Sequence, residues 1–303
     1  MTRYALVPLE MDWFFEDIDK YLKREEFQEF QEYAGVDYRN ILDPKKRDAI
    51  ADKICNASSI FYEIRRAKGG AFFPEKVYRE DVNFYSKAPK WVPEADELIL
   101  YRPMCYSLNL RFKTISEMIV PYVLERRFKD REGIIIGNLG CGLGRDLHES
   151  VRRYSGQISR VISIDSDGEA IQHGLREMPD QLEGKIKFYE GNFLMGNPEG
   201  EKYDFCLLVG VICPLANESA VYLLSLVRKQ MSDKATIAVS SSSFRMHHHD
   251  PLCSFNIQLT SQWALNCRTE DDLYGILSDA GFGRIEIFSE PSGFNYIGIG
   301  TKI

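Results

Sequence analysis

Beyond residue 132 the chain alternates short apolar runs with amphipathic stretches. GIIIGNL (133–139), RVISIDS (160–166), KIKFYEG (185–191), YDFCLLVGV (203–211), KATIAVSSS (234–242), GRIEIFSEP (283–291) and NYIGIGTKI (295–303) read as strands, with segments able to form helices between them. Strand and helix in alternation imply an α/β fold, a mostly parallel, doubly wound sheet of seven strands covered on both faces. Only SEPSGF separates the last two runs, too short for a helical crossover, so an antiparallel hairpin at the sheet edge is expected.

Before residue 130 the apolar spacing is helical. Phe14, Ile18, Tyr21 and Leu22 share one face, and Ile50, Ile54, Phe61 and Ile64 follow a turn at Asp43-Pro44, with Gly69-Gly70 closing that region. The stretch 71–100 holds three prolines and many aromatics and reads as a long irregular connection. Leu110, Ile115, Met118, Ile119, Tyr122 and Val123 then mark an amphipathic helix. The expected organisation is a helical N-terminal cap over 1–110 and an α/β domain over 111–303, without internal repeats.

Composition narrows the classes. With 303 residues, 44% of them apolar, the chain can bury one large core and a smaller layer. A net charge of −7 and a pI near 5.4 argue against a duplex-binding face, because neutralising phosphates needs clustered Lys and Arg. The seven cysteines are spread singly without CxxC, which suggests reduced thiols and neither a zinc knuckle nor a disulfide framework. No charge-free run of about 18 residues is present. A soluble, cytoplasmic protein is expected, a monomer or homodimer acting on a small molecule, with no metal, nucleic acid or membrane partner.

The chemistry points to the first strand's end. Gly140-Cys141-Gly142-Leu143-Gly144 follows an apolar run and precedes a helix, so backbone amides can approach a ligand without Cβ obstruction while the helix N-terminus adds positive potential. The dinucleotide fingerprint G-x-G-x-x-G does not fit: its last position is Arg145 counted from Gly140 and Leu147 counted from Gly142. Asp165, 21 residues after Gly144, ends the second strand, where a carboxylate can accept both hydroxyls of a ribose.

From about 132 to 303 the sequence resembles the class I (Rossmann-like) S-adenosylmethionine (SAM)-dependent methyltransferases. The parts occur in order: NLGCGLGRD for the cofactor loop, VISIDSD for the ribose strand, YEGNFL for the adenine segment, YDFCLLVGVI for the fourth strand, LVRKQMSDKATIAVS for the approach to the fifth and TEDDLYGILSDAGFGRIEIF for the closing helix and strand. Residues 1–110 match no family pattern. The resemblance implies SAM as cofactor, with Gly140, Gly142 and Gly144 beside its methionine portion, Asp165 at the ribose and Asn192 at adenine. Cys141, Ser166, Phe193 and Gly210 complete the implied cofactor set. Asn138 stands where the family commonly has an acid that holds the cofactor's ammonium, and a neutral amide does not favour ammonium over free amine as a carboxylate would.

The expected activity is in-line methyl transfer to a small-molecule acceptor, secondary-metabolite or amino-acid-like. Two alternatives remain open: use of the aminocarboxypropyl arm of SAM, releasing methylthioadenosine, and SAM binding without catalysis. FRMHHHDP places His247, His248 and His249 after the fifth strand, and His247 or His248 is a candidate general base. In an extended run adjacent histidines would point to opposite sides, which disfavours a shared metal. His148, in the helix after the loop, is read as a packing residue. Tyr106 is a further catalytic candidate; Tyr101, Arg102 and Val211 are candidate acceptor contacts, an aromatic face suiting a sulfonium and a guanidinium suiting a carboxylate.

Overall fold

The computed structural model describes residues 12–66, 70–261 and 265–303; Gly69 lies outside them. The chain divides into two compact units, one formed by 110–243 with 266–303, the other by 12–109 with 244–265. Residues 244–265, which the sequence reading places with the α/β domain, thus cluster with the helical unit.

The first unit holds a seven-stranded sheet: β1 (Ile134–Leu139), β2 (Ile158–Asp165), β3 (Ile186–Glu190), β4 (Tyr203–Leu208), β5 (Met231–Ser242), β6 (Phe282–Ser289) and β7 (Asn295–Lys302), in the order β3-β2-β1-β4-β5-β7-β6. β1 pairs in parallel with β2 and β4, β2 with β3 and β4 with β5, whereas β7 runs antiparallel between β5 and β6. The expected hairpin is present, with β7 lying inside β6. Its turn is held by the buried carboxylate of Glu290, which accepts from the backbone N–H of Ser292 (2.7 Å), Phe294 (2.7 Å) and Asn295 (3.0 Å).

Alternation along the strands sends side chains to two cores. Ile135, Leu139, Ile162, Ile164, Cys206 and Leu208 pack on one face with Leu223, Leu224 and Leu277. Ile134, Ile136, Val161, Phe205 and Leu207 pack on the other with Ile115, Ile119, Val123, Leu147 and Val151. Asn138 continues the second row, so its side chain is carried to that face at the carboxyl edge of the sheet.

The segment leading to β1 is helical, Pro103–Lys113 and Val120–Arg126, with a π turn at Thr114–Ile119 between them. Pro121 supplies a reason. In i→i+5 bonding the carbonyl of Ser116 would accept from residue 121, which has no N–H. That carbonyl accepts instead from Ser150 Oγ at 3.1 Å, on the helix His148–Arg153 that follows the glycine loop. Met118, expected on the apolar face, is exposed, because the extra residue of the π turn rotates it outward.

In the second unit Asp12–Phe15 and Ile18–Tyr21 are single helical turns, followed by longer helices at Glu25–Ala34, Pro44–Ala57 and Ser59–Arg66. The stretch 71–100 corrects the expectation of an irregular connection: it forms helices Phe72–Arg79 and Pro93–Leu100. Pro74 and Pro93 sit in first turns, where a missing N–H costs nothing. Residues 244–265 add helices Arg245–His249 and Pro251–Ser261, the latter buried along its whole length. Phe14 stacks on Phe255 at 3.7 Å, and Tyr38 donates to Asn256 Oδ1 at 2.7 Å, which fixes this helix among those of the unit.

Candidate functional site

At the carboxyl edge of β1 the chain turns through Gly140, Gly142 and Gly144, all with left-handed φ (69°, 54° and 78°) that a Cβ would strain. The amides of Gly140 and Cys141 both donate to the carbonyl of Ile164 on β2 (2.8 and 3.2 Å), which ties the loop to the neighbouring strand. A Cβ at Gly140 would lie 2.7 Å from Val211 Cγ2 and 3.9 Å from Phe193 Cε1, so residues from the segments after β4 and β3 converge over the first glycine. At Gly144 the space is taken by Phe188, 2.7 Å from such a Cβ. Gly144 therefore has an internal packing reason to be glycine.

Asp165 accepts from the amides of Gly142 (2.8 Å) and Asp167 (2.9 Å). Each carboxylate oxygen keeps a further lone-pair direction for a ligand hydroxyl. Burial raises its pKa above 3.8, and the two backbone hydrogen bonds oppose that shift. The N-cap of helix Gly168–Glu177 is Asp167, whose carboxylate accepts from Glu169 and Ala170, which leaves Asp165 out of the capping. Ser166 is exposed beside it.

Asn138 is 2% exposed, and its Nδ2 has no hydrogen-bond partner among the described residues. A buried donor left unpaired costs on the order of 1–3 kcal/mol unless something accepts from it, so this atom fits a ligand that brings an acceptor. Cys141 is buried, and burial together with Asp165 and Asp146 pushes its thiol well above the usual range, keeping it neutral. Asn192 Oδ1 accepts from Leu194 N at 3.0 Å while the residue stays exposed, so the carbonyl shapes the turn and the amide nitrogen faces outward. Gly210 N donates to Ser240 Oγ on β5 (2.8 Å), and the buried Arg111 guanidinium reaches to 3.8 Å of a Cβ built on Gly210. Arg111 escaped the sequence reading because it stands in a helical pattern where a cation is ordinary.

The sheet unit thus brings together Asn138, Gly140, Cys141, Gly142, Gly144, Asp165, Ser166, Asn192, Phe193, Gly210 and Val211. Tyr101, Arg102, Tyr106, His247 and His248 belong to the helical unit. There the histidines are helical instead of extended, because 245–249 close a turn that continues at Pro251. His247 stacks on Trp13 (4.7 Å) and its Nδ1 meets Ser254 Oγ at 2.5 Å; His248 and His249 are exposed. Burial, then the nearby His248, lowers His247 to about 4. Arg102 is held by Asp250 (3.2 Å) and Glu26 (3.3 Å), so two internal carboxylates occupy it. Tyr101 and Tyr106 are 73% and 60% exposed.

No protein-family model matches the sequence, and no curated protein matches it. Solved structures do. At 15% identity and a TM-score of 0.56, the chain is similar to a possible exported protein from Bordetella parapertussis, over 77% of this chain and 79% of that one. At 16% and 0.50 it is similar to magnesium protoporphyrin IX methyltransferase from Synechocystis PCC 6803 with bound SAH, over 67% and 88%. TnmH aligns at 17% and 0.50 over 67% of this chain, which spans 59% of TnmH. By strand order, by the antiparallel seventh strand and by these likenesses, the chain has the fold of the class I SAM-dependent methyltransferases.

Proposed function

We propose that the protein binds S-adenosylmethionine at the carboxyl edge of β1 and β2 and transfers its methyl group to a small molecule. The observation that carries this reading is the joint geometry of loop and acid: three left-handed glycines, and an Asp165 carboxylate that holds Gly142 N while keeping acceptor directions for two hydroxyls. When bound, the cofactor supplies an electrophilic methyl on a sulfonium. Asp165 would accept from its ribose and Asn192 Nδ2 would donate to its base, while Phe193 and Val211 supply apolar walls above Gly140. Alignment and exclusion of water carry the remaining catalytic effect.

One observation favours a second reading. Asn138 offers a buried donor where the resemblance leads one to expect an acid, and a donor is matched by the lone pair of a free amine, not by an ammonium. An amine kept neutral can act as a nucleophile, which is what cyclisation of the aminocarboxypropyl arm requires: the amine attacks the arm's γ carbon, the bond from that carbon to sulfur breaks, and methylthioadenosine leaves. Calorimetry with SAM and NAD, followed by chromatography of the nucleoside product, tests both. Binding of SAM alone and formation of S-adenosylhomocysteine with an acceptor present support methyl transfer. Methylthioadenosine accumulating without a second substrate selects the other chemistry, and NAD binding without SAM binding overturns the cofactor.

A further inference from the structure

Among the described residues Arg268 is the largest of the fully buried side chains, at 1% exposure, and none of the ion pairs includes it. Its acceptors are carbonyls, a hydroxyl and a side-chain amide. Nε donates to Asn217 Oδ1 (3.0 Å), Nη1 to Ile212 O (3.1 Å) and Ser241 Oγ (3.0 Å), and Nη2 to Leu215 O. Burial lowers its pKa, an effect opposed by Cys213, Asp272 and Cys267 nearby, yet a guanidinium stays charged at any ordinary pH. Keeping a cation in the core on neutral acceptors is costly, so the arrangement calls for a return beyond packing.

Two of those acceptors, Ile212 and Leu215, belong to the segment between β4 and the helix Asn217–Lys229, and a third, Asn217, opens that helix. This segment carries Val211, whose Cγ2 takes the space above Gly140, and Gly210, whose amide is fixed to Ser240 on β5. The backbone around Arg268 reinforces the same connection. Arg268 N donates to Ser242 O (2.8 Å), Ser243 and Arg268 form a parallel bridge, and Asn266 N donates to Cys213 O (2.9 Å). One planar fork therefore joins the segment after β4, the end of β5 and the strand-like 266–268.

We infer that Arg268 is a positioning residue for the cofactor site, fixing the segment after β4 so that Val211 closes on the glycine loop; this rests on the reading of that loop as a SAM site. The route is short: the guanidinium holds the Ile212 carbonyl, and the preceding residue is the one in contact with Gly140. A lysine keeps the charge but has a single point of donation, which cannot span acceptors on Ile212, Leu215, Ser241 and Asn217 together.

The test compares wild type with Arg268→Lys by calorimetry with S-adenosylhomocysteine, thermal unfolding with and without it, and amide exchange over residues 211–216. Arg268→Lys is expected to bind S-adenosylhomocysteine about tenfold more weakly, to show a smaller ligand-induced rise in Tm, and to exchange faster over 211–216 in the free protein. A lower Tm with affinity within about twofold of wild type would mean that Arg268 only packs, and would overturn the inference. If Arg268→Lys does not fold, Asn217→Ala removes one anchor of the same fork; a several-fold loss of affinity supports the inference and unchanged affinity overturns it. Wild type that fails to bind S-adenosylhomocysteine removes the cofactor reading itself, a different outcome from either.

Discussion

Asp165 shows how one side chain can serve both the fold and a ligand. Its two oxygens hold Gly142 and Asp167, so the loop is set before anything binds, and burial lifts its pKa above 3.8. The sign follows for binding: a ribose hydroxyl donates to the carboxylate and not to the acid, so affinity for S-adenosylhomocysteine is full above the folded pKa and falls as pH drops through it. Asp165→Asn should weaken binding by roughly 1–3 kcal/mol and abolish this acid limb. Calorimetry across pH checks it, and an unchanged acid limb in the variant would assign the titration elsewhere. The placement of the glycines in the loop and of Asp165 and Asn138 at strand ends was legible because loop spacing and strand ends are local properties of sequence. Arg268 was not, because its acceptors on Ile212, Leu215, Asn217 and Ser241 stand 27 to 56 residues before it in the chain, and Arg111 was not, because Gly210, to which it comes near, is 99 residues on.

At the scale of elements, the strands were readable because buried parallel strands are continuous apolar runs bounded by turns, and all seven appear where the runs predict. Prolines misled the reading of 71–100, since a proline ends a helix in its interior but begins one in its first turn. The π turn at Thr114–Ile119 had no sequence signal apart from Pro121, whose effect depends on a partner in another helix. Ser150→Ala should leave the Ser116 carbonyl without its donor and cost about 1–2 kcal/mol in urea unfolding. Pro121→Ala restores an N–H next to that carbonyl, so in the double variant the Ser150 effect should shrink by more than half. Additive effects in this cycle would show that the proline and the serine hydroxyl act on separate problems.

For the molecule as a whole, the division into units was the least legible feature, because residues 244–265 continue the apolar texture of the α/β half while clustering with the helical one. Both units carry a histidine that burial lowers from 6.5 to about 4: His148, with Arg145 as the second cause, and His247, with His248. The unfolded chain takes up these protons near 6.5 and the folded chain only near 4. Their contribution to stability is therefore whole above 6.5 and is lost as pH falls toward 4. Urea titrations between pH 7.5 and 4 should show this decline, and a shallower one in His148→Gln and His247→Gln; equal slopes would place the titration on other groups. The position of β7 has a consequence for biosynthesis. β6 precedes β7 in the chain yet has no other strand beside it among the described residues, and β5 is left open on that side until the same segment arrives. During translation two sheet edges therefore wait, unpaired, on about eight residues that come off the ribosome after both. A chain cut before Asn295 leaves both edges without their partner and open to pairing with other chains.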